Sequence, residues 1–299
     1  MGSELRIGTM DYALHVAVLI LIYTIAAYGL NLVSGYAGML SISHAVFLAI
    51  GAYAVGITTT STQYGFWVGF ALGIFVGVIF GSLMGLLSVR VRDDYFVLAS
   101  LAVQTIAFGV INNWNSLTSG PLGLAGIKRP SILGITVRTE FMSLLLVGVI
   151  SLFCFVIVRK VLYWAGNLSP YGRLLVAIRV DERFAEIMGK HVSYVKVTAF
   201  ALCGALGATA GALYGGYVTF VDPTSFMLSE SVLLLTIVLL GNPGTLWAPI
   251  KGAVLLVGIP ELLRIVGLPG PAAAKLRQIV FGFCLVGVVM LRQRAKVKK

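Results

Sequence analysis

The sequence is poor in charged residues. Asp, Glu, Lys and Arg make up only 11% of its 299 residues, whereas a soluble domain carries roughly a quarter. Hydrophobic residues make up 59%, and the long apolar runs are continuous rather than alternating, which favours spanning helices over a β-barrel. The composition therefore excludes a soluble domain and predicts an all-α integral membrane protein.

Cysteine and histidine are also scarce. The three cysteines each sit inside an apolar run, and the three histidines are scattered, so neither disulfide nor metal-ligand spacing occurs. The phosphate-binding loop G-x-x-x-x-G-K-[ST] is missing, as are H-E-x-x-H, C-x-x-C and G-x-S-x-G. We therefore expect no cofactor, no metal and no catalytic or ATP-hydrolysing centre in this chain.

Ionisable residues deep inside the apolar runs are nearly lacking. Asp222, Glu230, Lys251, Glu261 and Arg264 all lie near predicted ends of spans. Proton- and ion-coupled pumps place such groups within their spans. The sequence therefore disfavours a pump that drives itself through buried carboxylates.

The positive charge is concentrated in two places. Of the 22 Lys and Arg residues, seven lie between Arg159 and Lys196 and five between Arg292 and Lys299. Basic residues that flank spans mark cytoplasmic loops, so the formal net charge of +11 indicates membrane orientation rather than nucleic-acid binding. Residues 292–299 are predicted to be a basic cytoplasmic tail.

The apolar runs predict a polytopic bundle of about eight to nine spans. The candidates are Tyr12 to Val33, Met39 to Thr59, Phe66 to Val89, Phe96 to Asn113, Phe141 to Leu162, Val197 to Val221, Leu228 to Leu240, Ile250 to Val266 and Leu276 to Leu291. Nine crossings would put the N-terminus outside and the C-terminus inside. The run from Leu228 is too short to cross alone, because a span needs about 20 residues. The number of membrane crossings is even if the segment Ser34 to Thr60 is broken or re-entrant. Residues 113–140, rich in Gly, Ser, Pro and Thr, are predicted to form an external loop.

One stretch, Ser169 to Lys196, is conspicuously charged, and we call it the charged stretch. Within it Leu174, Ile178, Ala185 and Met188 are spaced to form one apolar stripe on a single helix. The pattern predicts an amphipathic cytoplasmic helix between spans. Such a helix could be a docking surface or merely a connection, and the pattern alone leaves both open.

Two glycine-rich stretches resemble each other. Gly35 to Leu40 (GYAGML) can be aligned with Gly241 to Leu246 (GNPGTL), and each runs on into Gly-Ala. Paired helix interruptions in the two halves of a chain are typical of the transport path in repeat-built transporters, although so short a match also arises by chance. The path candidates are Asn31, Gly35, Gly38, Ser41, His44, Gln104, Gly241 and Gly244. Helix packing is the alternative role for His44 and for the uncharged polar groups.

Several blocks resemble one known family in order and spacing. They are Tyr28 to His44 (YGLNLVSGYAGMLSISH), Asp94 to Phe96 (DYF), Leu117 to Leu124 (LTSGPLGL), Ser169 to Arg173 (SPYGR), Ala177 to Arg179 (AIR), Ala210 to Tyr214 (AGALY), Val221 to Pro223 (VDP) and Gly241 to Thr245 (GNPGT). Together these blocks resemble the membrane permease of branched-chain amino-acid ABC importers. The resemblance covers most of the chain between Tyr28 and Arg264.

The resemblance implies that residues 1–299 form one permease domain of a heteromeric importer in a prokaryotic inner or plasma membrane. Its expected partners are two cytoplasmic ATPases that bind the ATP, a second related permease and an external solute-binding protein. Residues 169–196 would hold the coupling helix, similar to the EAA-x-x-x-G loop of ABC importers. Ala185 and Gly189 keep the A-x-x-x-G spacing, whereas Arg183 and Phe184 replace the Glu and the first Ala. The expected coupling residues are Arg173, Arg179, Asp181, Glu182, Ala185, Glu186 and Gly189.

The implied function is uptake of branched-chain amino acids or of a related small solute such as urea, a short amide or an aromatic acid. The main alternative is a secondary transporter that works without an ATPase. An intramembrane enzyme and a structural scaffold are further alternatives, and the missing catalytic motifs disfavour the enzyme.

Overall fold

The computed structural model describes residues 2–61, 64–91, 93–132, 135–137 and 139–258. Within these described residues, five helical segments are long and apolar enough to cross a membrane: Asp11–Tyr36, Phe66–Arg90, Asp94–Asn113, Glu140–Leu162 and Val192–Val218. Three apolar helices are shorter: His44–Thr60, Leu228–Leu240 and Ala248–Gly258. This confirms an all-α membrane protein, while the number of spans stays a prediction. The run from Leu276 to Leu291 and the tail at 292–299 lie outside the described residues.

In chain order the helices are α1 (Gly2–Leu30, continued by a π-helical segment Asn31–Tyr36), α2 (His44–Thr60), α3 (Phe66–Arg90), α4 (Asp93–Asn113), α5 (Asn115–Thr118), α6 (Glu140–Leu162), α7 (Pro170–Val180), α8 (Glu182–Ile187), α9 (Val192–Val218), α10 (Leu228–Leu240) and α11 (Ala248–Ala253, continued by a π-helical segment Val254–Gly258). Short 3-10 turns occupy Gly120–Leu122 and Pro223–Phe226.

Six two-residue strands form three antiparallel pairs: β1 (Leu124–Ala125) with β6 (Phe220–Val221), β2 (Ser131–Ile132) with β3 (Ile135–Thr136), and β4 (Tyr163–Trp164) with β5 (Asn167–Leu168). The first pair joins the segment between α4 and α6 to the end of α9. At the same end of the bundle, Tyr217 bridges His15 and Glu140, with its hydroxyl 2.5 Å from His15 Nδ1 and from Glu140 Oε2. The charged stretch therefore lies at the opposite end.

The core is the close packing of α3 against α9 and α2. Five glycines recur at every fourth residue of α3, at positions 69, 73, 77, 81 and 85. A Cβ added to Gly77 would lie 2.7 Å from the carbonyl oxygen of Gly204, and one added to Gly81 would lie 2.3 Å from that of Phe200. Lipid is as apolar as a side chain, so helices in a bilayer gain stability from close backbone approach, which small residues permit.

Several predicted boundaries need correction. The first apolar segment ends as a π-helix at Tyr36, and α2 begins at His44 instead of Met39. Residues 37–43 are not helical. At the other boundary, α9 begins at Val192 rather than Val197. The bounds of α10 are those predicted, and with 13 residues it remains too short to cross a bilayer alone.

Candidate functional site

The charged stretch forms two helices instead of one. Ser169 caps α7, since its Oγ accepts a hydrogen bond from Gly172 N at 2.9 Å, and Pro170 occupies the first turn. The chain then breaks at Asp181, which is extended, and its carboxylate accepts a bond from Phe184 N at 3.0 Å to cap α8. The prediction of a single helix was wrong because this capping carboxylate starts a second one.

The break also changes which side chains are buried. Leu175, Ile178 and Ala185 are buried, whereas Leu174 is half-buried and Met188 is 63% exposed. The predicted stripe is therefore wrong at Met188, whereas Leu174 packs against the core as a half-buried residue. The stripe assumed one helical phase through Asp181, where the phase is reset.

The outer face of this helix pair exposes a group of large apolar side chains, which we call the outer patch. Val180, Phe184, Ile187 and Met188 are all at least 61% exposed. Arg183 and Glu186, which lie between them along the chain in α8, are exposed as well. An apolar patch rimmed by charged residues marks a site of protein–protein contact.

Inward contacts fix the helix pair to the bundle. The Lys196 ammonium is 2.5 Å from both carboxylate oxygens of Glu182 and 3.4 Å from the carbonyl oxygen of Ser88. The Tyr171 hydroxyl lies 3.0 Å from Thr198 Oγ1. Burial raises the pKa of Tyr171 to about 12, so this phenol stays protonated at neutral pH. The helix pair is thus attached to α9 by polar contacts, and Lys196 in turn bonds to the end of α3.

The seven predicted coupling residues therefore divide by environment. Five are exposed, namely Arg173, Arg179, Asp181, Glu186 and Gly189, and Gly189 adopts a φ of +73°, which suits glycine. Asp181 and Ala185 serve the helix pair itself, by capping and by burial. Glu182 and Arg179 bond to other parts of the bundle.

The two glycine-rich stretches meet, and we call their contact, Gly35–Gly38 against Gly241–Gly244, the glycine junction. Asn31 connects them, because its Nδ2 donates to Thr245 O at 2.9 Å and its Oδ1 accepts from Gly244 N at 3.0 Å. A Cβ added to Gly35 would lie 2.7 Å from Gly244 N. The first stretch spans the end of the π-helical segment at Tyr36, and the second follows the end of α10, so the chain brings two helix breaks together.

A separate group of polar side chains surrounds the start of α2, and we call it the polar cluster. Ser231 Oγ accepts a hydrogen bond from Ala45 N at 2.8 Å and lies 3.2 Å from Gln104 Oε1. Gln104 Nε2 donates to Phe226 O at 2.8 Å. Ser41 pairs with Ser43, and Ser100 Oγ accepts from Ile42 N at 3.0 Å. Buried, uncharged polar groups thus gather where α2 starts after a break.

His44 belongs to the packing between helices. Its Nε2 lies 2.8 Å from the carbonyl oxygen of Ala26 in α1, and its Nδ1 lies 3.4 Å from Cys203 Sγ in α9. Both ring nitrogens are engaged, and the residue is buried. These contacts favour the packing role over the path-lining role for this residue.

Apart from His44, the path candidates separate into two groups. Asn31, Gly35, Gly38, Gly241 and Gly244 belong to the glycine junction. Ser41 and Gln104 belong to the polar cluster. Sequence reasoning missed Ser43, Ser100 and Ser231 as members of that cluster and Lys196 as the partner of Glu182. It also missed the five-glycine stripe of α3, which the four-residue spacing could have indicated.

The chain is an all-α membrane bundle. Two helix breaks meet inside it, and a charged, partly apolar surface lies at one end. This is the architecture of a permease. The family described as the branched-chain amino acid transport system permease component matches residues 12–289. The chain belongs to this family.

Individual relatives agree with the family match. The chain is 31% identical over 283 residues to the high-affinity branched-chain amino acid transport system permease protein LivM of Escherichia coli K12, covering 86% of this chain and 64% of the relative. A probable branched-chain amino acid transport permease protein LivM of Methanocaldococcus jannaschii is 24% identical over 307 residues, covering 90% of this chain and 87% of the relative. The autoinducer 2 import system permease protein LsrC of Klebsiella pneumoniae is 26% identical over 209 residues, covering 67% of this chain and 56% of the relative. No solved structure matches the chain.

Proposed function

We propose that the chain is the permease subunit of an ABC importer that takes up branched-chain amino acids, or a related small solute, with energy from separate ATPase subunits. The observation that carries this proposal is the outer patch. A family member that lacks a nucleotide-binding loop needs a surface on which an ATPase can act. Val180, Phe184, Ile187 and Met188 supply such a surface between α6 and α9.

The chemistry of this surface suits ATPase docking. Exposed apolar side chains can fill a groove in a partner, and the charges around them set its orientation. Phe184 is the largest of the four and stands where ABC importer loops have a small residue, so it is the expected anchor. Docking changes transport only if the ATPase holds the helix pair differently in its two states. The surface would lie on the cytoplasmic side of a prokaryotic inner membrane, and the basic residues around it support this orientation.

The solute path is assigned to the polar cluster and the α2 start beside it. Its groups are hydroxyls and one amide, and a small zwitterion or neutral solute can cross such a region without meeting a fixed charge. Branched-chain amino acids are the first choice, because the relatives from Escherichia coli and Methanocaldococcus jannaschii are described as permeases for them. A second permease and an external solute-binding protein complete the proposed importer.

The test is co-purification of the ATPases with the tagged permease pair, comparing the native chain with the Phe184→Asp variant. We expect two ATPase subunits to co-purify with the native chain and to be lost from the variant, while the permease elutes as a single folded species. Leu122→Ser is the matched control, because Leu122 is 83% exposed at the opposite end of the bundle. Full ATPase recovery with Phe184→Asp would contradict docking at this surface.

A further inference from the structure

Arg179 reaches from α7 into the glycine junction. Its Nη1 donates to the carbonyl oxygen of Gly35 at 2.7 Å. We infer that Arg179 is a positioning residue that ties the helix pair to both broken helical segments, so that a shift of α7 moves the two segments together. This inference rests on the proposed function, since it names the route by which ATPase docking acts on the path.

The fit around Arg179 is close on two sides. A Cβ added to Gly38 would lie 2.7 Å from Arg179 Cγ and 3.4 Å from its Cα, so the glycine lets the arginine stem and the α7 backbone approach. On the other side, a Cβ added to Gly244 would lie 3.0 Å from Arg179 Nη1 and 3.0 Å from the Gly35 oxygen. Both glycines have φ near +80°, a conformation that a Cβ disfavours. The guanidinium is therefore held between the two stretches.

Asn31 makes the two stretches move as one. Its amide bonds both to the peptide nitrogen of Gly244 and to the carbonyl oxygen of Thr245. Gly35 lies one helical turn after Asn31, and it accepts the bond from Arg179. A force applied through Arg179 to Gly35 is thereby also applied to the second stretch.

Both stretches are connected along the chain to the polar cluster, the first through residues 39–43 and the second through α10. Three residues after Gly38 comes Ser41, and α2 starts at His44. On the other side, Gly241 follows the last residue of α10, and Ser231 lies near the first residue of the same helix. Ser231 in turn accepts the bond from Ala45 at the start of α2. A displacement of the glycine junction therefore reaches the two elements that meet at the cluster.

Other contacts of the helix pair lead elsewhere. Lys196 with Glu182, and Tyr171 with Thr198, join it to α9, and Lys196 also bonds to Ser88 at the end of α3. These helices belong to the glycine-packed core, which resists deformation. Arg179 is attached instead to Gly35 in the last turn of the π-helical segment, next to the non-helical residues 37–43, where a hinge can absorb changes in φ and ψ.

The test is a comparison of Arg179→Ala with the native chain in the complete importer, reconstituted in liposomes with both permeases, both ATPases and the binding protein. Three quantities are measured: ATPase co-purification, ATP hydrolysis and uptake of labelled leucine. We expect unchanged co-purification, continued hydrolysis and about tenfold less leucine moved per ATP, as the loss of one hydrogen bond from a charged donor predicts. Arg179→Lys, which keeps a charged donor, should restore part of the ratio.

Two controls make the result specific. Arg159→Ala removes an exposed basic residue from the end of α6 and should leave all three quantities unchanged. Asn31→Ala should lower the same ratio of leucine per ATP. In the double variant with Arg179→Ala, the fold-reduction of this ratio should be smaller than the product of the two single reductions, because both residues act on one junction.

The outcomes separate this inference from the proposed function. Unchanged leucine per ATP in Arg179→Ala overturns the inference and leaves the proposed function standing. Loss of the ATPases from that variant also overturns it, since Arg179 would then be a docking residue. No ATP-driven uptake by the native complex overturns the proposed function itself.

Discussion

The ammonium of Lys196 lies 2.5 Å from both carboxylate oxygens of Glu182, in a pair whose side chains are 4% and 30% exposed. The pair joins the start of α9 to α8, and the ammonium also reaches the carbonyl oxygen of Ser88 in α3. One of the acidic residues of the charged stretch is thus occupied within the chain. The helix pair has a fixed attachment on one side, and its outer patch is exposed on the other.

Replacing Glu182 with Leu should destabilise the folded permease. Lys196 would stay buried without its counter-charge, a loss of about 3 kcal/mol for a broken buried pair. The thermal unfolding midpoint in detergent should fall accordingly. Glu182→Leu combined with Lys196→Met should recover part of the loss, and Glu186→Gln, an exposed change in the same helix, should have no effect. A double variant less stable than Glu182→Leu would contradict the pairing.

Replacing Gly77 with Val should prevent α3 from packing against α9. Its Cβ would lie 2.7 Å from the Gly204 oxygen and from the Ala208 side chain, and over-packing costs typically 1–3 kcal/mol. The yield of monodisperse protein should drop sharply. Gly109→Val is the matched control, because a Cβ there meets nothing within 4 Å. Equal yields for the two variants would show that the glycine stripe is not needed for packing.

Replacing Gln104 with Leu should reduce leucine uptake more than it reduces stability. The change leaves the Phe226 carbonyl and Ser231 without their amide partners, a cost of about 1–3 kcal/mol, and it makes the polar cluster more apolar. Uptake and thermal unfolding are measured on the same preparation. Thr105→Val, on the exposed side of the same helix, should change neither. If the Gln104→Leu variant takes up leucine at the native rate, the polar cluster is not part of the solute path.

The stability of the turn after α9 should depend on pH through the carboxyl group of Asp222. Burial alone would raise the pKa of this carboxyl, but hydrogen bonds from Ser225 and Thr224 outweigh it and leave the pKa below its usual range. A lowered folded-state pKa means that the carboxylate stabilises the turn above the unfolded pKa, near 4, and that this contribution is lost as pH falls through the folded pKa.

Amide hydrogen exchange at Ser225 measures this effect. Protection should be constant above pH 4 and decline at lower pH, after correction for intrinsic exchange rates. Asp222→Asn should abolish the decline, since the amide does not titrate. A decline of equal size in that variant would assign the pH dependence to another group.

Sequence patterns located the apolar helices well, because continuous hydrophobicity is a local property. The bounds of α10 were as predicted, and α3 differs by one residue at its end. The break at Asp181 was missed although an aspartate followed by Glu182 is a familiar helix start. The apolar spacing across the break suggested one helix and concealed that signal.

The candidate site was recovered only in part. Gly35 and Gly241 were singled out from their spacing, but their contact through Asn31 depends on residues about 210 positions apart. Arg179 was assigned to the docking surface because its charge lies in the charged stretch. Its bond to Gly35 becomes visible only when α7 is packed against the end of α1, which no local pattern encodes.

The central claim is tested most directly by uptake of labelled leucine into liposomes that contain the chain with its second permease, its ATPases and its binding protein. We predict uptake when ATP is supplied on the ATPase side, with no uptake from a proton or sodium gradient alone. Uptake by the chain without ATPases, driven by an ion gradient, would contradict the account and establish a secondary transporter.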